Sequence, residues 1–375
     1  MQDTQPGLHR VAKLLQAGSL QMHYQPIFDF KTGNVTQVEA LARLIEGTRV
    51  LPPSDFLPYF GREELFELFA RGLELAVSQR DVWLHNGIPL RLSVNMPSFA
   101  FCDDRYYAVT RDTLSRHRCP PRALTLEVLE HWDVCAEITI SNNLRKFKEL
   151  GVLLAEDDLG AGHSGLQRLR ELPFDSFKID RSIICMADSD HANALHFVHQ
   201  LTRLGHLLGK TVVVEGVESS DLIEAIRILG ADAVQGYAIA RPMPAEQLTA
   251  WIRGGYTNPA SRPQTILTKL ARLLILEERL SLMSEPHAGK PSAGGGAQSF
   301  AAIFSSRTQC QKGPSCLEDH LASFRAGINA IFSENHAYVR EIDVLVSAIS
   351  RHGLMSNHYR QARKDLTAAA MLIEH

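Results

Sequence analysis

The sequence lacks the features by which membrane, secreted and zinc-binding proteins are usually recognised. No basic-then-apolar segment opens it, and no apolar run reaches the length of a transmembrane helix. Its six cysteines have no CxxC spacing, so we expect free thiols rather than a zinc site or a disulfide framework. From these absences we expect a cytoplasmic location.

The chain also lacks a large excess of positive or negative charge. The 375 residues include 39 basic and 42 acidic side chains, which gives a net charge of −3. Such a balance does not indicate binding to a nucleic-acid polymer or to an anionic membrane. The 45% hydrophobic content is that of a globular protein, and the length predicts two domains or one barrel with an extension.

Short apolar runs alternate with helix-like segments from about residue 20 to about residue 255. The candidate strands are QMHYQPIFDF, VTQVEALARL, LRLSVNMP, LTLEVLE, VLLAEDDLG, FDSFKID, TVVVEGV and AVQGYAI. Apolar strands that alternate with helices are typical of a parallel sheet buried on both faces. Eight of them predict an α/β protein with a TIM-like (β/α)₈ barrel. A doubly wound open sheet is the alternative, but no GxGxxG motif follows the first strand.

The composition changes after Tyr256. TNPASRPQ predicts a linker, and a leucine-rich helix and the Gly/Ser-rich segment HAGKPSAGGGAQS follow it. We expect three parts: a barrel over 1–257, a helix and linker over 258–299, and an all-α C-terminal helical region over 300–375. Apolar residues at 3-4 spacing form a heptad-like seam in the last part, namely Leu321, Phe324, Ile328, Ile331, Tyr338, Ile342, Leu345, Ile349, Tyr359, Ala362, Leu366, Ala369 and Ile373, with Asn335 among them.

This seam predicts a module for dimerisation, partner binding or sensing. Metal sensing is a weaker alternative, because the histidines and cysteines of this region lack zinc-site spacing.

Polar side chains occur near the ends of seven of the apolar strands. Barrel enzymes place their active sites at the C-terminal ends of their strands, so these side chains are expected to share one rim. They are Glu39, Asn95, Glu127, Asp157, Asp158, Lys178, Glu215, Glu218 and Gln235, with Glu130 behind Glu127. Each alone would be an ordinary turn or helix-terminal residue. Together their oxygen donors predict a site for Mg²⁺ or Mn²⁺ rather than for zinc.

Eight motifs in order resemble the signature of the EAL-domain family of cyclic di-GMP phosphodiesterases. They are YQPI, VEALARL, SVNMP, LEVLE, EDDLGAGHSGL, FDSFKIDRSII, VVVEGVES and VQGYAIARPMP. The resemblance extends from about residue 10 to about residue 255 and does not cover the C-terminal third. It implies hydrolysis of one phosphodiester of cyclic di-GMP to linear pGpG by water that two divalent cations activate.

The resemblance also implies a role for each site residue. Glu39, Asn95, Glu127 and Asp157 would hold the first cation, and Asp157, Asp158 and Glu215 the second. Lys178 would orient the attacking water. The other implied catalytic residues are Glu130, Gln235 and Glu218, and the implied substrate-binding residues are Gln25, Leu41, Arg43 and Asp180.

The loop after the acid pair departs from the family pattern. This chain has DDLGAGHSG where the family usually has DDFGTGYSS, so Leu159, Ala161 and His163 replace Phe, Thr and Tyr. The implied cation ligands are untouched, and we expect an effect on loop packing or on a homodimer contact. Such a dimer would form through this loop, the C-terminal helices or both. Side-chain alternation directs Glu156 away from Asp157 and out of the site.

A catalytically silent receptor of cyclic di-GMP that signals through the helical tail is the main alternative function. The acids and the lysine that degenerate members usually lose, Glu39, Asp157 with Asp158, and Lys178, are all present here. Their presence favours an active enzyme. A different metal-dependent phosphohydrolase on the same barrel is a third hypothesis that no residue favours.

Overall fold

The computed structural model describes residues 4–129, 137–159, 165–185, 187–255, 265–284, 322, 324–328, 331, 344–348 and 357–374. The chain divides into two compact units, Met1–Arg262 and Pro263–His375. Several residues that the sequence singled out lie outside the described residues, namely Glu130, Gly160 to Ser164, and the seam residues Leu321, Asn335, Tyr338, Ile342 and Ile349.

Eight strands of the first unit close into a barrel, which confirms the predicted architecture. The strands of the unit are β1 (Leu20–Asp29), β2 (Asn34–Glu46), β3 (Arg49–Leu51), β4 (Arg91–Met96), β5 (Leu124–Leu129), β6 (Leu153–Leu159), β7 (Ser176–Ile179), β8 (Thr211–Val214), β9 (Ala233–Val234) and β10 (Met243–Pro244). Their order is β10-β1-β9-β8-β7-β6-β5-β4-β2-β3, and pairing of β1 with β2 closes the ring. β3 and β10 are short additions outside the barrel, and each of the eight predicted segments holds one barrel strand.

The direction of β1 differs from the expectation of a wholly parallel sheet. β1 runs antiparallel to both of its barrel neighbours, β2 and β9, whereas β2 and β4 to β9 are parallel. The physical reason is the short connection of residues 30–33, since a parallel crossover needs a dozen residues or more. Gly33 has a φ of +67° and donates its N–H to the Asp29 carbonyl over 2.9 Å, which closes a tight hairpin.

The reversed strand brings its side chains to the same end of the barrel as those of β2. Residues directly opposite each other in an antiparallel pair share one face of the sheet. Gln25 is paired with Glu39, and His23 with Leu41. Gln25 therefore lies beside Glu39, although it belongs to the middle of its own strand rather than to a strand end.

Helices surround the barrel. They are α1 (Thr4–Gln16), α2 (Arg62–His85), α3 (Asp104–Arg116), α4 (Glu137–Leu150), α5 (Gly165–Glu171), α6 (Arg181–Cys185), α7 (Ala187–Leu207), α8 (Ser220–Ile228) and α9 (Ala245–Arg253). Their inner faces bury large side chains against the strands, among them Trp83, Tyr106 and Phe147. Trp83 also donates its indole N–H to the Thr249 hydroxyl over 3.0 Å and so joins α2 to α9.

No helix within the described ranges is both long enough and apolar enough to cross a membrane.

A glycine allows α7 to pack directly on the barrel. A Cβ added to Gly205 would lie 2.5 Å from Val212 Cγ2 and 2.6 Å from Phe177 Cε1, and both of these side chains are fully buried. We expect Gly205→Ala to lower the free energy of unfolding by about 1–3 kcal/mol, because overpacking forces the helix or the strands to shift.

Chemical denaturation of the variant beside Gly72→Ala tests this packing. Gly72 lies in α2, and its added Cβ would meet Met22 Sδ at an ordinary 3.5 Å. Alanine is favoured over glycine in a helix interior, so we expect Gly72→Ala to be neutral or stabilising. Equal stability changes in the two variants would contradict the close contact at Gly205.

The second unit is helical in its described residues, as predicted. It contains α10 (Ile266–Ser284), the C-terminal helix Asn357–Glu374 and helical residues at 324–328 and 344–348. Its core consists of Leu273, Phe324, Ile328, Ile331, Leu345, Ala348, Tyr359, Ala362 and Leu366. Seven of these residues belong to the seam that the heptad spacing marked out, so the spacing located much of this core.

A polar cluster that the sequence did not predict lies at the edge of this core. Glu277 of α10 accepts hydrogen bonds from the Tyr359 hydroxyl and, over 3.0 Å, from Arg363 Nη1. Burial raises the pKa of the Glu277 carboxyl. The cluster ties α10 to the C-terminal helix.

The expectation of free thiols is wrong for Cys102 and for the cysteine bonded to it. Cys119 is free and buried, but Cys102 takes part in a disulfide. Cysteine spacing along the chain did not predict this bond, because the distance between two thiols is set by the fold.

Candidate active site

Four carboxylates converge on one lysine at the C-terminal end of the barrel. Lys178 of β7 places its Nζ atom 2.9 Å from Glu127 Oε2, 3.2 Å from Glu39 Oε2 and 3.3 Å from Asp157 Oδ1. The same ammonium contacts Glu215 Oε1. We call Glu39, Glu127, Asp157 and Glu215 the carboxylate ring. Its members come from or directly follow β2, β5, β6 and β8, so closure of the barrel is what brings them together.

Three side-chain amides complete the ring. Glu39 accepts a hydrogen bond from Asn95 Nδ2 over 2.7 Å and another from Gln235 Nε2 over 2.7 Å. Gln235 also donates to Gln25 Oε1 over 3.1 Å, and Gln25 donates to the Ala240 carbonyl over 3.2 Å. The amides therefore fix the orientation of Glu39 and connect β1, β2, β4 and the start of the loop after β9.

The charges of the ring are unbalanced. Four carboxylates face one ammonium, which leaves three negative charges uncompensated when all are ionised. Burial and the charge of Glu39 raise the pKa of Glu127, and burial raises the pKa of Glu215 to about 7. Burial also opposes ionisation of Glu39, but Lys178 and the two amides outweigh it and lower the Glu39 pKa.

Lys178 is held as a cation by the same arrangement. Burial alone would lower its pKa, but the surrounding carboxylates, Asp157 first, raise it well above the usual value for lysine. The ammonium is 2% exposed and is the only positive group at the centre of the ring among the described side chains.

The ring has the donor chemistry of a divalent-cation site. Its donors are oxygens only, they carry excess negative charge, and such donors suit Mg²⁺ or Mn²⁺. Within the described part of the chain, however, no three His, Cys, Asp or Glu side chains are arranged to hold a metal ion, since the carboxylates converge on Lys178 instead. The side chain of Asp158 lies outside the described residues.

A cavity of about 250 Å³ opens beside the ring. Its walls are formed by Gln25, Glu39, Leu41, Arg181, Glu215, Gly216, Glu218, Gln235, Gly236 and Tyr237. Six of the predicted site residues, Leu41 among them, thus line the cavity, whereas Asn95, Glu127 and Asp157 are not part of its walls. A Cβ on Gly236 would lie 2.1 Å from the Val217 carbonyl oxygen, so the two loops that form this wall are in direct backbone contact.

Two predicted substrate-binding residues have other contacts. Asp180 accepts a hydrogen bond from the Ser182 N–H over 2.9 Å, at the start of α6. Arg43 is half-buried and donates to the Ala42 carbonyl over 2.8 Å. Neither side chain is among those that line the cavity.

Glu156 lies outside the carboxylate ring, on the opposite face of β6 from Asp157. It is fully buried, and Arg168 of α5 donates to its Oε1 over 2.6 Å. Glu156, the first acid of the EDD run, is therefore part of a buried ion pair between the barrel and a helix. Alternation along the strand predicted its direction but not its partner.

Arg181 and Tyr237 line the cavity without having been predicted as site residues. Both directly follow a motif of the site, Arg181 after KID and Tyr237 after QG. Tyr237 is 46% exposed, and the Arg241 guanidinium stacks 4.0 Å from the centre of its ring. Their position immediately after two strand ends was the signal that could have identified them.

Fold and site together define a (β/α)₈ barrel protein with a buried acidic site and an open cavity at the C-terminal ends of its strands. The chain belongs to the EAL domain family, whose model matches residues 9–242. The match covers the whole barrel and ends before the second unit. The sequence resemblance is thereby confirmed.

Relatives and solved structures carry the same domain. The chain is 31% identical over 255 residues to the cyclic di-GMP phosphodiesterase RocR of Pseudomonas aeruginosa, which corresponds to 66% of this chain and 64% of RocR. It is 34% identical over 261 residues to an uncharacterized signaling protein of Caulobacter vibrioides, of which it spans 32%. The solved PaMucR phosphodiesterase in complex with c-di-GMP is 32% identical with a TM-score of 0.60, covering 65% of this chain and 99% of that one. The chain thus spans less than two thirds of the curated relatives that it matches.

Proposed function

We propose that this protein hydrolyses one phosphodiester bond of cyclic di-GMP to give linear 5′-pGpG, in a reaction that depends on two divalent cations, Mg²⁺ or Mn²⁺. The convergence of three buried carboxylates and the half-buried Glu215 beside an open cavity carries the proposal, because a dianionic substrate approaches such acids only when cations outweigh them. Membership of the EAL domain family supports the choice of substrate.

The cations would be held by Glu39, Asn95, Glu127, Asp157, Asp158 and Glu215. When bound, they supply a hydroxide nucleophile at neutral pH and neutralise charge on the phosphate. The carboxylate ring provides the negative charge that draws them into the barrel. Asn95 and Gln235 keep Glu39 in one orientation through their hydrogen bonds.

Lys178 contributes a positive charge at the base of the site. In the proposed reaction it donates a hydrogen bond to the attacking water and offsets negative charge that develops at phosphorus. Gln235 has a further group to offer, since its Oε1 atom is buried without a hydrogen-bond partner among the described residues. This oxygen would accept a hydrogen bond from water or from a substrate hydroxyl.

The remaining predicted roles rest on position. Leu41 and Glu218 line the cavity and would contact the substrate as it approaches the carboxylate ring. Gln25 also lines the cavity and would contact the substrate at the inner end of that cavity. Arg43 and Asp180 would need to leave their present hydrogen bonds to reach the substrate. The role of Glu130 as a brace for the loop after Asp158 stays a prediction.

Product analysis of the purified protein tests the proposal. Incubation with cyclic di-GMP and either Mg²⁺ or Mn²⁺ is expected to give pGpG, and removal of cations with EDTA is expected to stop its formation. Chromatography separates the two nucleotides. Tight binding of cyclic di-GMP with no turnover in either metal would instead identify a receptor.

The assembly of the chain also stays a prediction. A homodimer through the loop after Asp158 or through the C-terminal helices would be measured by light scattering at several protein concentrations. The helical second unit is proposed to assemble or regulate the barrel.

A further inference from the structure

Arg181 lies at the cavity, at the start of α6 and just beyond the strand that carries Lys178. It follows β7 after one residue and forms part of the cavity wall together with Glu215, Glu218 and Tyr237. Its side chain is exposed, unlike that of Lys178. β7 and the start of the helix that follows it therefore place one cation at the base of the site and a second at its open side.

The backbone of Arg181 is held in place from two directions. Gly216 has a φ of +67°, and a Cβ on it would lie 2.2 Å from Arg181 Cβ and 3.0 Å from Arg181 Cα. The turn after Glu215 thus packs directly on the base of the arginine side chain. On the other side, the hydrogen bond from Ser182 to Asp180 fixes the start of α6. Only the outer part of the side chain is left to move.

The guanidinium of Arg181 has no partner among the described residues. Of the described side chains that line the cavity, it is the one cation, and three glutamates line the same cavity. It nevertheless forms no ion pair or hydrogen bond with any described residue, whereas Arg43 donates to a carbonyl and Arg241 stacks on Tyr237. A fixed arginine with a free guanidinium is suited to a planar anion that arrives with the substrate.

We propose that Arg181 binds the second phosphodiester of the cyclic dinucleotide, the one that is not cleaved. The assignment rests on the proposed function. The two phosphates lie on opposite sides of the macrocycle, so the second faces the open side of the cavity when the first reaches the carboxylate ring. The contact favours a cyclic dinucleotide over substrates that have a single phosphodiester.

Steady-state kinetics of Arg181→Ala with two substrates tests this role. For cyclic di-GMP with Mn²⁺, KM is expected to rise about 10- to 100-fold, the range for a lost charge-assisted hydrogen bond, with kcat nearly unchanged. For bis(p-nitrophenyl) phosphate, which has one phosphodiester, kcat/KM is expected to stay at the wild-type value. Arg181→Lys should recover part of the loss, because it keeps the charge without the bidentate geometry.

Arg91→Ala is the matched control, because Arg91 is an exposed arginine at the start of β4, at the other end of the barrel. It is expected to leave both substrates unaffected. Inhibition by guanosine separates phosphate from base recognition: an unchanged inhibition constant in Arg181→Ala supports the proposal, and a raised one overturns it in favour of a base contact.

Equal losses of kcat/KM for both substrates in Arg181→Ala, or no loss for either, would also overturn the assignment. A wild-type protein that hydrolyses neither substrate would instead refute the proposed function and the assignment with it.

Discussion

Glu39→Gln is expected to lower turnover of cyclic di-GMP more than about 100-fold, because even residues that only support metal ligands are worth 10- to 100-fold in activity. The substitution keeps the shape of the side chain but removes one charge from the carboxylate ring. Glu39 accepts three hydrogen bonds in the site, from Asn95, Gln235 and Lys178. Loss of the Glu39 carboxylate therefore affects both cation binding and the amide network.

Thermal unfolding shows whether the loss is one of function or of fold. The ring has more negative than positive charge without cations, so removal of one carboxylate should leave the melting temperature in EDTA close to that of the wild type. The rise in melting temperature that Mn²⁺ gives the wild type should be smaller in the variant, since stabilisation by a ligand follows its affinity.

Glu149→Gln is the matched control for Glu39→Gln. Glu149 is an exposed glutamate near the end of α4, before β6 begins, and it has no described hydrogen bond. The Glu149→Gln variant should match the wild type in turnover and in the rise in melting temperature that Mn²⁺ gives. Turnover near the wild-type value in Glu39→Gln would show that Glu39 is not a cation ligand.

The barrel was predictable from the sequence because each strand is a short apolar run bounded by polar residues. The reversal of β1 was missed, although the signal was present: only KTG and one flanking residue separate the first two strand motifs, which is too short for a parallel crossover. Strand patterns report burial, and the direction of a strand depends on the length of its connections.

The identity of the site residues was predictable to a similar degree. Glu127, Asp157 and Glu215 converge because residues near the ends of parallel strands meet at one end of a barrel, and Glu39 joins them from the middle of the long strand β2. Their partners could not be predicted, since a hydrogen bond between β2 and β9 depends on closure of the sheet. The pairing of Glu156 with Arg168 is of this kind, and so is the lack of a partner for the Arg181 guanidinium among the described residues.

Lys178→Met is expected to abolish turnover and also to destabilise the protein when no cations are present. The variant leaves the four carboxylates of the ring, three of them buried, without the ammonium that all of them contact. Removal of one partner from a buried ion pair commonly costs about 3–5 kcal/mol. The family resemblance implied that Lys178 orients water and offsets developing negative charge, whereas the position of Nζ gives this lysine a structural role as well.

Divalent cations should restore the stability of Lys178→Met but not its activity. Mn²⁺ brings the positive charge that the ring has lost, so the gain in unfolding free energy on adding Mn²⁺ should be larger in the variant than in the wild type. Turnover should stay at least about 100-fold below the wild-type value, because a missing transition-state donor costs 10²- to 10³-fold.

Lys210→Met separates this charge effect from the loss of any buried lysine. Lys210 is 9% exposed and donates to the Phe174 carbonyl over 2.8 Å, just before β8, away from the carboxylate ring. The Lys210→Met variant too should be destabilised in EDTA, because the buried Phe174 carbonyl loses its donor. Mn²⁺ should raise its stability no more than that of the wild type. An equal gain in both lysine variants would mean that the ring does not attract cations, and the proposed two-cation hydrolysis would lose its structural basis.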